Sequence, residues 1–343
     1  MILTILSGGL VGLAFGFVLQ RTRFCMTGGF RDMYIAKNYT LFYAFLIAIT
    51  VQSIGVLSLV QLGVVSNPYE DYSVLGAIVG SYIFGIGIVL AGGCATGTWY
   101  RAGEGLIGSW IALFFYMLGS AVMKFGSLNP LNKTLTQYWV ISDDLAGQIG
   151  ISVWYFVLVL TAVTLFLVVR YLKKPRRAAA TLPSKYTGLR HYLFEKTYHK
   201  FTAGLIIGLI ALIAWPASEI TGRVGGLGIT TPSAHIINYL VTGNSKMLNW
   251  GVFLVLGILL GSYLAAKGAG EFRWRLPDVK TVQRSAIGGI LMGIGASWAG
   301  GCTIGNGLTA TAVISSKGWI ALLLTILGVW TASHFIFVKP SRK

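Results

Sequence analysis

The 343-residue chain predicts an all-α polytopic membrane protein, with about nine transmembrane helices, short re-entrant or broken helices, and an inverted internal repeat. Three observations predict it. Hydrophobic residues make up 55% of the chain and charged ones only 11%, against roughly 25% charged in an average soluble domain, so a lipid bilayer is the expected solvent. Apolar windows of transmembrane length recur along the whole sequence. One glycine-cysteine motif occurs twice, at a constant offset of 208 residues.

A helix needs roughly 20 apolar residues to cross about 30 Å of hydrocarbon. The first such window, residues 2–19, has no basic leader and runs into Arg21 and Arg23, which marks a retained span rather than a cleaved signal. Further windows follow at 39–62, 74–93, 106–128, 150–170, 201–218, 249–266, 284–299 and 318–338. Charge lies between them. With the N-terminus outside, the loops at 21–37, 99–105, 170–200 and 267–284 and the tail from Lys339 face the cytoplasm and carry 22 of the 27 Lys and Arg residues. Lys124, Lys133, Arg223, Lys246 and Lys317 fall on the other face, with the acidic pairs Glu70/Asp71 and Asp143/Asp144. Basic loops are retained on the cytoplasmic side, so this split orients the chain N-out and C-in. It also accounts for a net charge of +17 without a nucleic-acid partner, because the basic residues punctuate hydrophobic runs instead of forming one patch.

The repeat is read from glycines. Gly85-Ile86-Gly87, Ala91-Gly92-Gly93-Cys94 and Gly97 return as Gly293-Ile294-Gly295, Ala299-Gly300-Gly301-Cys302 and Gly305. Four windows precede the span at 150–170 and four follow it, so the copies enter the membrane in opposite directions. In such inverted repeats substrate binds near the midplane, at the repeat interface. The expected division is a first repeat at 1–148, a connecting span and basic cytoplasmic linker at 149–200, and a second repeat at 201–343. Symmetry is incomplete, because at an offset of 200 Cys25 corresponds to Gly225.

Cys25, Cys94 and Cys302 cannot all pair, and no CxxC or Cys-His metal spacing occurs, so neither a disulfide framework, a zinc site nor a cofactor is expected. Each cysteine sits at a glycine- or threonine-rich interruption of a span. Broken backbone at membrane depth is tolerated only where protein buries it or where it lines a wet cavity. The freed N–H groups and the positive end of a following helix favour an anion there. Close helix packing explains paired glycines by themselves; a cysteine after both pairs, at the same repeat position, favours a site. The candidate substrate-binding residues are Cys25, Cys94 and Cys302 with Gly93, Gly301, Thr27, Thr96 and Thr303 beside them. Arg23 reads either as a positive-inside anchor or as a charge drawing anions to Cys25, with Asp32 and Glu104 as counter-charges to the arginines. His235 reads as a solvated loop residue and His334 as interfacial; Trp99, Trp139, Trp215, Trp250 and Trp298 read as an aromatic belt. No histidine neighbours a cysteine in sequence, which weighs against a membrane thiol enzyme carrying a persulfide on Cys25. No phosphate-binding loop of the GxxxxGK[ST] type is present, so direct ATP drive is not expected.

The segment Arg23-Phe24-Cys25-Met26-Thr27-Gly28-Gly29-Phe30-Arg31-Asp32 and the two Ala-Gly-Gly-Cys motifs resemble the sulfur transport (YeeE/YedE) family, over nearly the whole chain. The resemblance implies a bacterial inner-membrane protein for uptake of thiosulfate, with a related branch proposed for selenium. Carried over, the family's three functional cysteines fall on Cys25, Cys94 and Cys302. The family's proposed mechanism passes the ion along the thiols by S–H···S hydrogen bonds, without a covalent intermediate. It also implies a separate cytoplasmic partner, a small sulfur-carrier protein of the TusA type. Another sulfur or selenium anion remains an alternative substrate, because glycine-rich cradles would serve any of them. On the N-out orientation Cys25 belongs to the cytoplasmic side and reads as an exit or hand-off site.

Overall fold

Apolar windows become helices, and the positions of glycine decide where they stop. The computed structural model describes residues 1–173, 187–196 and 198–339. Much of the basic linker expected between 170 and 200, and the end of the tail, lie outside the described residues. The first half runs α1 (Ile2–Thr22), α2 (Met26–Ile35), α3 (Thr40–Gln61), strand β1 (Tyr72–Ser73), α4 (Val74–Leu90), α5 (Ala95–Gly103) and α6 (Ile107–Lys124). Then come α7 (Asn129–Thr136), strand β2 (Val140–Ile141), α8 (Leu145–Ile149), α9 (Val153–Leu172) and the short α10 (Gly188–Arg190). The second half is α11 (Lys200–Glu219), α12 (Thr230–Thr242), α13 (Trp250–Gly268), α14 (Val279–Trp298), a wide helical turn over Gly305–Ala310, and α15 (Ser316–Ser333).

Among the described residues, eight helical segments are long and apolar enough to cross a membrane. The ninth expected window, 284–299, does form a helix, α14, but it is not one of those eight. Its four glycines and its polar start at Gln283-Arg284-Ser285 dilute the hydropathy, and it packs on α4 and α6. Conversely, α9 buries only Val157, Leu160 and Thr164, so most of its surface is left for lipid.

Helix pairing follows a regular scheme. α1 packs on α13, and α11 packs on α3; α6 packs on α14, and α15 on α4; α12 packs on α6, and α2 on α15. Small residues permit the closest crossing: a Cβ at Gly12 would stand 2.1 Å from the Leu254 carbonyl oxygen, and one at Gly261 2.0 Å from that of Leu13. Without a hydrophobic drive between helices in lipid, such backbone-to-backbone approach supplies the packing energy.

Both Gly-Gly-Cys motifs interrupt a helix in the same way. α4 ends before Gly92 and α14 before Gly300, whose φ angles are +70° and +68°. Glycine alone takes this left-handed conformation without steric cost, so each span stops where the chain must turn back into protein. The expected aromatic belt is largely absent. Trp99, Trp215 and Trp250 are 1–3% exposed, and the Trp99 indole donates to Ser233 Oγ at 3.0 Å, so these rings belong to the protein core. His235 likewise is not a solvated loop residue: it lies on α12, half-buried, with Nδ1 2.7 Å from Asn249 Nδ2.

Candidate anion pathway

Two of the three cysteines begin helices. Cys25 caps the N-terminus of α2 and Cys94 that of α5, with both residues extended, so their thiols stand where the unpaired N–H groups of the first turns converge. The Gly97 N–H donates to Cys94 Sγ at 3.4 Å. The Cys25 and Cys94 thiols converge on the same glycine, Gly97, where an added Cβ would stand 3.4 Å from each sulfur. Cys302 lies on the loop between α14 and the Gly305–Ala310 turn. All three are free and buried.

Two of the cysteines line separate cavities. One, of about 330 Å³, is lined by Cys302, Gly301, Asn306, Arg223, Gly225 and Lys317. The other, of about 310 Å³, is lined by Cys25, Gly28, Asp32, Arg23, Arg101 and Lys200. They lie at opposite ends of α11, since Lys200 starts that helix and Arg223 follows its last turn. Cys94 lines neither cavity and stands near Cys25 across Gly97.

The Cys302 cavity balances Arg223 and Lys317 against two acids, whereas cations outnumber acids in the Cys25 cavity, Arg23, Arg101 and Lys200 against Asp32. In the first, Arg223 Nη1 donates to the carbonyls of Gly225 and Gly226 at 3.1 and 2.9 Å while its guanidinium lies over Trp250. The opposing acids are Glu70 and Asp143. Asp143 accepts from Ser315 Oγ at 2.5 Å, Ser316 Oγ at 3.2 Å and the Lys317 N–H at 2.9 Å, yet burial still holds its carboxyl above the usual carboxylate range. In the second cavity Arg23 is an expected residue, but it is pinned: Nη2 pairs with Glu271 at 3.0 Å and Nη1 with Glu104 at 4.0 Å. Asp32 is held by Arg31 at 2.9 Å. The two proposed counter-charges therefore bind different arginines.

Thr27, Thr96 and Thr303 are 2–5% exposed, and among the described residues no protein group bonds their hydroxyls. Unpaired buried hydroxyls are uncommon because desolvation is costly. Gly301 is set by its neighbour: a Cβ there would stand 2.5 Å from Asn306 Oδ1, whose Nδ2 donates to the carbonyls of Ala299 at 2.9 Å and Gly301 at 3.2 Å. Gly93 faces Arg101, whose Nη1 would stand 3.6 Å from an added Cβ. Gly225, the counterpart of Cys25 by sequence offset, lines the Cys302 cavity instead.

Sequence reasoning missed Asn306 and Arg101. Each ties one helix break shut, Asn306 as above and Arg101 through its Nη1 hydrogen bond to the Gly92 carbonyl. The available signal was spacing: Arg101 follows Cys94 by seven residues, two turns of one helix, and it is the sole Lys or Arg of the loop at 99–105. Among the described residues no three His, Cys, Asp or Glu side chains gather to hold a metal ion.

The sulphur transport family profile matches residues 21–331 of the chain. The thiosulfate transporter TsuA of Escherichia coli K12 is 58% identical over 339 residues, covering 99% of this chain and 96% of that protein. TsuA of Spirochaeta thermophila is 34% identical over 345 residues, covering 96% and 98%. The probable transporter YedE of Escherichia coli K12 is 40% identical over a shorter stretch of 116 residues, 34% of this chain and 28% of that protein. A match over most of the chain, on the stretch that holds all three cysteines and both glycine breaks, makes this multi-pass membrane protein a member of the sulphur transport family.

Proposed function

We propose that the chain is an inner-membrane transporter that takes up thiosulfate by handing it along Cys302, Cys94 and Cys25 without covalent chemistry. The observation that carries this reading is the convergence of the Cys25 and Cys94 thiols over Gly97, with Cys25 and Cys302 each lining a cavity that also holds arginine and lysine side chains. A thiol is a weak donor, matched to a polarizable terminal sulfur, and weak successive sites let an ion enter and leave. The names of the TsuA relatives support thiosulfate as the substrate. Gly93 and Gly301 keep the two breaks narrow, Thr27, Thr96 and Thr303 offer hydroxyls along them, and Arg23 adds charge at one mouth.

The pairing of α1 with α13 and α11 with α3, of α6 with α14 and α15 with α4, supports reading 1–148 and 201–343 as inverted repeats joined by 149–200. In the N-out, C-in orientation the Cys302 cavity opens to the periplasm and the Cys25 cavity to the cytoplasm. There a TusA-like carrier would collect the ion.

Flux of radiolabelled thiosulfate into proteoliposomes tests this. Uptake is expected to be competed by selenite less than by unlabelled thiosulfate and hardly at all by sulfate, which has no terminal sulfur. Cys94→Ala and Cys302→Ala are expected to reduce flux to the level of empty liposomes while the protein stays folded. Unchanged flux in both variants, or strong competition by sulfate, overturns the thiol pathway.

A further inference from the structure

Arg101 stands apart from the other cations near the Cys25 cavity. Arg21 and Arg23 share Glu271, Arg23 also faces Glu104, and Arg31 holds Asp32. Lys200 caps the Thr22 carbonyl. Arg101 has no carboxylate partner among the described residues. Its Nη1 donates to the Gly92 carbonyl, its Nε to the Tyr100 hydroxyl at 3.3 Å, and its guanidinium lies 5.9 Å from the Tyr100 ring centre. A guanidinium has five donors, so these bonds leave the Nη2 pair and one Nη1 proton unused. Charges at membrane depth are expensive, and they persist when they pair or mark an ion path. Arg101 lines the same cavity as Cys25 and sits beside Gly93 at the α4 break.

Resting on the reading of the chain as an anion transporter, we infer that Arg101 is the charge anchor of an anion site at the Cys25 end of the path. Its free fork faces the oxygens of a doubly charged tetrahedral oxyanion while the Cys25 thiol faces the terminal sulfur. Two parallel N–H···O bonds suit guanidinium geometry and an oxyanion edge. The bond to the Gly92 carbonyl gives Arg101 a second role, because the group that holds the anion also closes the break that positions Cys94. Arg23, fixed between two acids, contributes to the field but not to the fork.

The test reads charge at Cys25 without needing transport. In the full-length protein, Cys25 is modified with an anionic reagent, 2-sulfonatoethyl methanethiosulfonate, and with a cationic one, 2-(trimethylammonium)ethyl methanethiosulfonate, and followed by peptide mass spectrometry. Arg101→Gln is expected to lower the anionic-to-cationic rate ratio about tenfold, as loss of a unit charge a few ångströms away requires. Arg101→Lys keeps the charge and is expected to keep the ratio. A merely structural role would move both reagents together, so an unchanged ratio in Arg101→Gln overturns the inference, as does an equal fall in Arg101→Lys. Should Arg101→Gln fail to fold, Arg101→Met carries the same comparison. Thiosulfate protection of Cys25 is measured in parallel, with about tenfold more thiosulfate needed in Arg101→Gln. If thiosulfate does not protect the wild-type thiol although the charge ratio behaves as stated, thiosulfate as the substrate fails and the anion site stands.

Discussion

Asp143 is an acid whose position in the chain conceals its surroundings. It belongs to an acidic pair in a loop between spans, yet it is 5% exposed and fastens the N-terminus of α15 through three hydrogen bonds. Burial outweighs those bonds and the nearby Lys317, so the folded protein holds this proton more tightly than the unfolded chain does. The sign then follows from linkage. Above its ordinary value of 3.8 the native state binds more protons at this site, so the stability contributed here is greatest in acid and falls as pH rises through the window. Asp143→Asn is expected to flatten that part of the pH dependence of thermal unfolding in detergent. A variant that keeps the wild-type slope would show that some other group sets it. Asn306 and Arg101 teach the same lesson, since in each case the partner that matters is a carbonyl several residues away that only a broken helix exposes.

At the scale of elements, the seam between α1 and α13 decides how closely the two halves approach. Gly12, Gly16, Gly257 and Gly261 each face backbone of the opposite helix within 3 Å of where a Cβ would stand. Gly9 lies on the same helix and would meet nothing within 4 Å. Gly12→Val is therefore expected to lower thermal stability by about 1–3 kcal/mol or more, the usual cost of overpacking, whereas Gly9→Ala stays near wild type. Equal melting temperatures for both would show that the seam is not tight. The short helices α2 and α5 obey a different logic: each is too short to span the membrane, is buried on most faces and begins on a cysteine.

For the whole molecule, the arrangement of charge and the arrangement of cavities point the same way. The cavity at Cys25 is reached from segments rich in Lys and Arg, and the cavity at Cys302 from segments that carry Glu70 and Asp143. The orientation N-out and C-in is tested by labelling. Ser245→Cys and Gly270→Cys place new thiols at exposed positions in loops that this orientation puts on opposite faces. A membrane-impermeant maleimide added outside intact cells is expected to label the first and to reach the second only after lysis; the reverse pattern would invert the topology and exchange the roles of the two cavities.

The sequence by itself determined the solvent, the helical class and the location of the breaks. Hydropathy responds to composition over a span, and Gly-Gly-Cys is a local signal that a helix cannot pass unmarked. It also singled out all three cysteines, because each lies at the end of a span. Tertiary structure decided the rest. That Cys25 and Cys94 converge depends on two helix N-termini, far apart in the chain, being brought together over Gly97. That Gly225 belongs with Cys302 depends on how the chain turns after α11, which no fixed offset encodes. Trp99 and His235 look interfacial or solvated by position, yet with α12 packed on α6 and α13 Trp99 is in the core and His235 is half-buried against Asn249. α14 is too polar and glycine-rich to match the other spans in hydropathy, and its place in the bundle is set by packing on α4 and α6. Among the described residues Arg101 differs from Arg21, Arg23 and Arg31 in forming no ion pair, and the presence or absence of a counter-charge is a property of three-dimensional neighbours.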